Sequence, residues 1–209
     1  DAAFANRHKT SRHDPALPLY TEEDARRALR HLEPLEFDRS LDLDGLQLRL
    51  RHAGHILGAS SAEIRGEHGT LLFSGDIGRP DDLLMKPPAL IESGDVLVVE
   101  STYGDRSHGE DGSADVFADV ITRTAARGGM VIVPAFAVGR AQNLLYLIAQ
   151  LKHLRRIPDL PVFLDSPMAI DTTGIYQRFH AEHRLSHDEC RSLGHVAKFC
   201  RTVDESRAL

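Results

Sequence analysis

Apolar and polar positions follow two different patterns along the chain, and each pattern predicts a different kind of element. Leu46, Leu48 and Leu50 alternate with polar residues, which is the period-two pattern of a half-buried strand. Two short apolar runs follow at residues 70–73 and 96–99, and polar residues end each of them. Such runs are typical of central strands that are buried on both faces. The first hundred residues are therefore predicted to build a sheet with polar side chains just past its strand ends.

Helical spacing begins near the start of the chain. Thr21, followed by three acidic residues, predicts an N-cap and an acidic first turn. The apolar residues behind it recur at the spacing of one helix face: Ala25, Ala28, Leu29 and Leu32.

A stricter alternation of helices and strands begins after residue 105, beyond the polar segment 105–112. Ser113 is predicted to cap a helix, and a second helix at 139–153 and a strand at 161–164 follow. The run 130–133 is predicted as a buried strand, and the first helix is predicted to carry Phe117, Val120 and Ile121 on one face. This order indicates a parallel α/β unit with right-handed crossovers. We therefore place a domain boundary near residue 105, between residues 1–105 and 106–209.

Length and composition limit the class of protein. The 209 residues are 42% hydrophobic and 27% charged, which allows one large domain or two small ones. No apolar run approaches the roughly 20 residues that cross a bilayer, and the first residues lack signal-peptide organisation. We therefore expect a cytoplasmic protein without a membrane partner. Cys190 and Cys200 have no CxxC partner, which predicts reduced thiols and no cysteine zinc site.

The net charge of -6 argues against a protein that holds nucleic acid by overall electrostatic attraction. A polyanionic substrate would instead need a local basic cleft. Basic residues cluster at two places, where they either contribute to such a cleft or form solvated faces: Arg7, His8, Lys9, Arg12 and His13, and later Lys152, Arg155 and Arg156.

Three side chains suited to metal or proton chemistry follow apolar stretches in order. They are His55 within GHILGA, Asp76 at the end of FSGD, and Glu100 within VESTYG. If the strand ends converge, these groups can serve a metal-activated water. Taken singly, the three residues have ordinary explanations: His55 is more often a satisfied polar residue than a ligand, Asp76 is a turn aspartate and Glu100 is a surface carboxylate.

Five motifs that include these residues resemble the β-CASP branch of the metallo-β-lactamase fold. That branch contains RNA-processing nucleases, among them bacterial and archaeal relatives of the cleavage and polyadenylation endonuclease. The resemblance extends from about residue 5 to residue 176. The motifs occur in the family's order: AGHILGA, FSGDIGR, VVESTYGDR, VPAFAVGRAQ and FLDSPMA.

The resemblance implies an α/β fold in which part of a metallo-β-lactamase αββα sandwich joins part of a β-CASP domain with a parallel α/β sheet. Residues 1–105 would be the C-terminal portion of the metallo-β-lactamase core. Residues 106–209 would be the N-terminal portion of the β-CASP domain.

The resemblance also implies a zinc-dependent ribonuclease with two Zn²⁺ ions that hydrolyses phosphodiester bonds of RNA. His55 would bind one zinc, Asp76 would be shared by both, and Glu100 would pair with a histidine near the leaving group. Arg140, at a predicted helix start, is a candidate contact to the RNA backbone, although a tight turn and a carboxylate partner would explain it equally well. His108 is a second candidate for substrate binding.

Four further histidines, His52, His180, His183 and His187, are expected to face solvent. Ser186 is predicted to start a helix, which places His183 outside that helix and separates it from His187.

The family's HxHxDH cluster is missing from the 12 histidines of this sequence. The resemblance therefore implies an internal fragment that is inactive alone, and its uncovered sheet edges predict self-association as a possible homo-oligomer. Three other classes remain open: a non-catalytic β-CASP relative or scaffold subunit, another hydrolase of the metallo-β-lactamase fold, and a plain α/β binding module.

Overall fold

The computed structural model describes residues 2–107 and 112–209, and its contacts separate the residues up to Glu36 from Phe37–Leu209. The first unit contains two helices, α1 (Ala2–His8) and α2 (Glu22–Leu29). The Asn6 side chain ties α1 to the following segment, because its amide nitrogen donates to the Ala16 carbonyl at 2.9 Å and its oxygen accepts the Ala16 N–H.

The N-cap predicted at Thr21 is confirmed. The Thr21 hydroxyl accepts the Asp24 N–H at 3.3 Å, and the Asp24 carboxylate accepts the Thr21 N–H at 2.8 Å, which together form a capping box. The hydrogen bonds that the Thr21 N–H, the Thr21 hydroxyl and Arg27 donate to the Asp24 carboxylate hold its pKa below the usual value. The helix ends at Leu29, so Leu32 lies beyond it and is exposed.

Five strands of the second unit form one mixed sheet. They are β1 (Ser40–Leu43), β2 (Leu46–His52), β3 (Ser60–Gly66), β4 (Gly69–Phe73) and β5 (Val96–Val98), and they lie in that order. The pairs from β1 to β4 are antiparallel, whereas β4 and β5 are parallel. Together with the helices that follow, this sheet confirms the predicted α/β fold class.

The strand at residues 96–99 differs from its prediction. We predicted a central strand buried on both faces, but β5 lies at the edge of the sheet, and Val96 to Val99 are between 47% and 60% exposed. The apolar run indicates a strand correctly, yet burial depends on neighbours that the run does not encode. The run at 70–73, by contrast, forms β4 with a neighbour on each side.

Five helices and a two-stranded parallel sheet make up the remainder of the described chain, with a short 3-10 helix at His180–Glu182. The helices are α3 (Ser113–Ala126), α4 (Arg140–His153), α5 (Pro167–Arg178), α6 (His187–Ser192) and α7 (Val203–Arg207), and the strands are β6 (Phe163–Asp165) and β7 (Lys198–Cys200). None of the helices in the described ranges is long and apolar enough to span a bilayer.

Two local predictions in this region were wrong. Residues 130–133 form no strand, and Met130 and Ile132 are 70% and 80% exposed. A strand needs hydrogen-bonded neighbours, and these residues pair with none in the described structure. Gly112 rather than Ser113 occupies the N-cap of α3. Phe117, Val120 and Ile121 lie in α3 at the spacing of one helix face as predicted, with Val120 exposed and Ile121 buried. The domain boundary predicted near residue 105 stays a prediction.

Two apolar clusters fill the second unit. The larger cluster joins the segment after β4 to α4, α5 and α6, and its buried members are Leu84, Met85, Leu145, Tyr176, Leu185, Cys190 and Leu193. Leu57, in the loop between β2 and β3, packs against this cluster. The smaller packs α3 against α4 through Ala118, Ile121, Leu151 and Ile157. The loop that carries His55 is therefore attached to the main core.

His183 is buried, with 4% of its surface exposed, so the prediction that it faces solvent was wrong. Its Nε2 lies 3.1 Å from the Tyr176 carbonyl, and its Nδ1 accepts the Leu185 N–H at 3.2 Å. Because Nδ1 accepts, the proton is on Nε2 and the ring is neutral. Burial lowers the pKa of His183, and the nearby charges of His180 and Lys86 lower it further.

The other histidine and cysteine predictions had mixed outcomes. Both ring nitrogens of His52 are closed off from solvent and lack a hydrogen-bond partner in the described part of the chain, so His52 does not face solvent. His180 and His187 are exposed as predicted. Ser186 caps α6 as predicted, and Cys190 and Cys200 are free thiols, both buried.

Acid should destabilise the fold through His183. A folded pKa below the usual 6.5 means that the unfolded chain binds this proton more readily. The free energy of unfolding should therefore fall as the pH drops below 6.5, and this histidine contributes a slope of up to about 1.4 kcal/mol per pH unit. Urea unfolding between pH 5 and 8 should show a shallower slope for His183→Gln than for the exposed control His195→Gln. Equal slopes would contradict the burial of a neutral ring.

Candidate active-site loops

The loop between β2 and β3 presents His55 to solvent. Its ends are joined by the Ala53 N–H, which donates to the Ala59 carbonyl at 2.9 Å, and the Ala59 N–H donates in turn to the Ile56 carbonyl at 3.0 Å. The His55 ring is exposed and makes no hydrogen bond or ion pair within the described ranges. The backbone is therefore constrained while the imidazole stays available to a ligand.

The loop after β4 presents Asp76 and packs directly on the His55 loop. The Gly78 N–H donates to the Ala53 carbonyl at 2.8 Å. A Cβ at Gly78 would overlap the Gly54 carbonyl, so only glycine allows the two backbones to approach this closely. The Asp76 carboxylate is exposed and, like His55, has no protein partner in the described chain.

Glu100 braces the Asp76 loop from the end of β5. Its carboxylate accepts the Ile77 N–H at 2.9 Å and the Thr102 N–H at 3.4 Å. The Ile77 hydrogen bond lowers the pKa of Glu100 most, Thr102 adds to this, and the charge of His55 makes a smaller contribution in the same direction. Glu100 is therefore ionised at neutral pH and lies within electrostatic range of His55.

Ser74, which sequence reasoning missed, connects these segments. Its hydroxyl accepts the Glu100 N–H at 3.0 Å and donates to the Gly75 carbonyl at 2.7 Å, while its own carbonyl accepts the Ser61 hydroxyl at 2.6 Å. Ser74 is 6% exposed. Its position in the FSGD motif was the available signal, because a buried serine just past a strand needs partners for its hydroxyl.

Arg140 begins α4 beside the same loops. Gly139 precedes it with φ 76° and is so close to the His55 loop that a Cβ there would lie 3.1 Å from the Ile56 side chain. The Arg140 guanidinium is exposed and forms no ion pair in the described part of the chain. The alternative in which Arg140 pairs with a carboxylate is therefore not observed there.

Gln142 is a second residue that sequence reasoning missed. It is fully buried, and its amide nitrogen donates to the Ala137 and Ala169 carbonyls and to the Thr173 hydroxyl at 3.1 to 3.2 Å. These hydrogen bonds link α4 to α5. Within the GRAQ motif, Gln142 therefore has a structural role, whereas the Arg140 guanidinium has no ion-pair partner among the described residues.

His108, predicted to lie near the cleft, falls outside the described residues. The FLDSPMA motif has the structural role that its composition predicts, since the Ser166 hydroxyl accepts the Ala169 N–H and Pro167 is the first residue of α5.

The residues at this end of the sheet fit part of a metal site. An imidazole and a carboxylate are suitable ligands for zinc, but zinc sites generally use three or four protein ligands. Within residues 2–107 and 112–209, no group of three or more histidine, cysteine, aspartate or glutamate side chains is arranged to hold a metal ion. The described chain therefore supplies an incomplete donor set.

Comparison with known proteins identifies relatives of one kind. Residues 141–209 match the Beta-Casp domain family. Ribonuclease TTHA0252 of Thermus thermophilus is 38% identical over 77% of this chain, the cleavage and polyadenylation specificity factor subunit 3-I of Arabidopsis thaliana is 32% identical over 77%, and RNase aCSPSF2 of Saccharolobus solfataricus is 35% identical over 68%. The chain spans 37%, 24% and 28% of the lengths of these relatives.

The hydrogen bond between Glu100 and Ile77 has a direct spectroscopic consequence. As Glu100 gains a proton, its oxygen becomes a weaker acceptor, so the Ile77 amide proton should shift upfield in NMR spectra. Because the pKa of Glu100 is lowered, the midpoint should fall below 4.5. The matched control Glu92→Gln should leave this titration unchanged, whereas Glu100→Gln should abolish it. An Ile77 amide that titrates in both variants would contradict the contact.

Proposed function

Because this chain belongs to the β-CASP family of RNA-processing nucleases, we propose that the native protein containing it is a ribonuclease that hydrolyses RNA with two zinc ions. The observation that carries this proposal is the contact between the loops of His55 and Asp76, joined by the Gly78 hydrogen bond to Ala53. Two exposed metal-competent groups on adjoining loops have no protein partner in the described chain. We place its action in the cytoplasm.

Each proposed ligand has a suitable chemistry. Asp76 has two oxygens, which allow one carboxylate to contact two cations, and His55 would bind zinc as a neutral imidazole. When bound, the two metals would supply a hydroxide at neutral pH and offset charge on the phosphoryl oxygens. The described residues supply an incomplete donor set. Because the sequence also has no HxHxDH cluster, we expect the 209-residue chain to be inactive by itself.

The chain's other charged groups have separate proposed roles. Glu100, ionised by its hydrogen bonds, holds the Asp76 loop and supports the positive charge of a histidine that protonates the departing 3′ oxygen. Arg140 contacts an RNA phosphate, because its guanidinium has no carboxylate partner in the described chain and the start of α4 favours an anion.

The metal requirement is tested first with Asp76→Asn. Chelation should abolish RNA cleavage by the native protein and Zn²⁺ should restore it, while Asp76→Asn should lower cleavage by at least about 100-fold, the upper end for lost support of a metal site. Asp81→Asn, in the same loop region, should cleave normally. The isolated 209-residue chain should retain less than one tightly bound zinc. Chelator-resistant cleavage would overturn the proposed zinc-dependent nuclease. Two zinc ions bound to the isolated chain would instead overturn the expectation that its donor set is incomplete.

The role of Arg140 is tested with Arg140→Ala in the native protein. Loss of one phosphate contact should weaken RNA binding at every sequence and reduce the salt dependence of log K by about one unit of slope. Arg123→Ala is the matched control, because it removes the same charge from an exposed ion pair with Asp119 on α3. Equal RNA affinity and salt slope in both variants would exclude Arg140 from the RNA interface.

A further inference from the structure

A hydrogen bond between two side chains joins the segment after Asp76 to the helix that begins at Arg140. The Asp82 Oδ2 accepts a hydrogen bond from the Asn143 Nδ2, and the two atoms are 3.2 Å apart. Asp82 follows Asp76 closely in the chain, and Asn143 lies in the same helix as Arg140. The contact therefore links two elements that carry candidate site residues.

The other oxygen of Asp82 fixes the backbone of its own segment. The Asp82 Oδ1 accepts the Leu84 and Met85 N–H groups at 2.8 and 2.7 Å, as aspartate commonly does in a turn. Both of these residues are buried in the larger apolar cluster, and the Arg184 Nε donates to the Met85 carbonyl at 2.7 Å. The Asp82 carboxylate is therefore held from one side while its second oxygen contacts α4.

Residues 78–89, which we call the connecting segment, are attached at both ends to the end of β2. The Gly78 N–H donates to the Ala53 carbonyl at 2.8 Å, and the Ala89 N–H donates to the His52 carbonyl at 2.7 Å. The connecting segment is therefore fixed relative to the sheet and to the loops at its end.

Asn143 belongs to the first turn of α4. Its backbone N–H donates to the Gly139 carbonyl at 2.9 Å. Because residues three apart are neighbours on one face of a helix, Asn143 lies beside Arg140. A contact that fixes Asn143 therefore also fixes the backbone from which the Arg140 guanidinium extends.

The Asn143 amide requires an explanation beyond packing. Its Oδ1 is closed off from solvent and has no hydrogen-bond partner among the described residues. A buried acceptor without a partner costs free energy, which an apolar side chain at this position would avoid. Rotating the amide would only turn Oδ1 toward the Asp82 carboxylate. The hydrogen bond that Nδ2 donates to Asp82 therefore accounts for the polar side chain better than packing does.

We propose that Asp82 is a positioning residue, whose carboxylate holds the first turn of α4 against the connecting segment and so sets the position of Arg140 relative to Asp76. The structural part of this proposal concerns the contact between Asp82 and Asn143. Its consequence for RNA rests on the proposed function, in which Arg140 contacts an RNA phosphate.

The contact is tested in the native protein by exchanging its donor and acceptor. Asn143→Asp places two carboxylates against each other, so their repulsion should raise amide hydrogen exchange in the first turns of α4 at least about 10-fold. Adding Asp82→Asn restores a hydrogen bond in the opposite direction and should return exchange to within about threefold of the unchanged protein. Exchange measured by mass spectrometry reports both changes.

The control for this exchange is Gln150→Asp, which adds the same charge further along α4. Asp82→Asn should not compensate for Gln150→Asp, because no carboxylate pair is formed there. A double variant of Asp82 and Asn143 that exchanges as fast as Asn143→Asp alone would overturn the proposal, as would unchanged exchange in Asn143→Asp.

The consequence for RNA is tested with Asn143→Ala, which removes the contact without changing the charge. RNA binding by the native protein should weaken at least about threefold, because Arg140 is displaced and its hydrogen bond to a charged group is weakened. In an Arg140→Ala background, Asn143→Ala should have no further effect, since both changes act on one phosphate contact.

The matched control is Gln150→Ala, which removes an amide from the same helix and should leave RNA affinity unchanged. A merely structural role of Asp82 would make the effects of Asn143→Ala and Arg140→Ala add. Additive effects, or an Asn143→Ala variant with the affinity of the control, would overturn positioning.

The two tests separate two kinds of failure. If the native protein neither binds nor cleaves RNA, the proposed function fails, while the exchange of donor and acceptor still decides the contact. If the native protein is an active nuclease and Asn143→Ala acts independently of Arg140, the nuclease assignment stands and the role of Asp82 is rejected.

Discussion

The carbonyl of Ala53 accepts the N–H of Gly78, and this backbone contact between two loops determines whether His55 and Asp76 can serve one ligand. The contact depends on the missing side chain of Gly78, since any Cβ would overlap the Gly54 carbonyl and push the loops apart. Glu100, which belongs to the third motif, reinforces the arrangement by accepting the Ile77 N–H of the second motif. The candidate site is therefore built mainly from backbone hydrogen bonds, which hold the loops while leaving the reactive side chains free.

The charged residues around these loops divide into two groups according to their partners. His55, Asp76 and Arg140 are exposed and unpaired in the described chain, as groups that meet an external ligand need to be. Glu100 and Asp82, in contrast, are occupied by backbone N–H groups and shape the loops. The motif resemblance implied that Glu100 pairs with a histidine near the leaving group. The observed role of its carboxylate is to support the segment that presents Asp76, by accepting the Ile77 N–H.

Local chemistry was predicted well because it depends on residues close together in the chain. The capping boxes at Thr21 and Ser186 and the helix start at Pro167 all form where the sequence indicates them. Burial was predicted less well. Residues 96–99 form a strand that is exposed at the sheet edge, residues 130–133 form none, and His183 is enclosed by α5 and the segment before α6. In each case the outcome depends on neighbours from distant parts of the chain.

The sequence by itself determined the α/β class, because turn residues, caps and apolar periodicity act over a few positions. The family followed separately, from the resemblance of five motifs and their order. Only the tertiary structure decided that the loops of His55 and Asp76 touch and that Ser74 and Gln142 are internal connectors. Those contacts join residues dozens of positions apart. Their formation is governed by packing and by the need to satisfy buried polar groups, which no local pattern specifies.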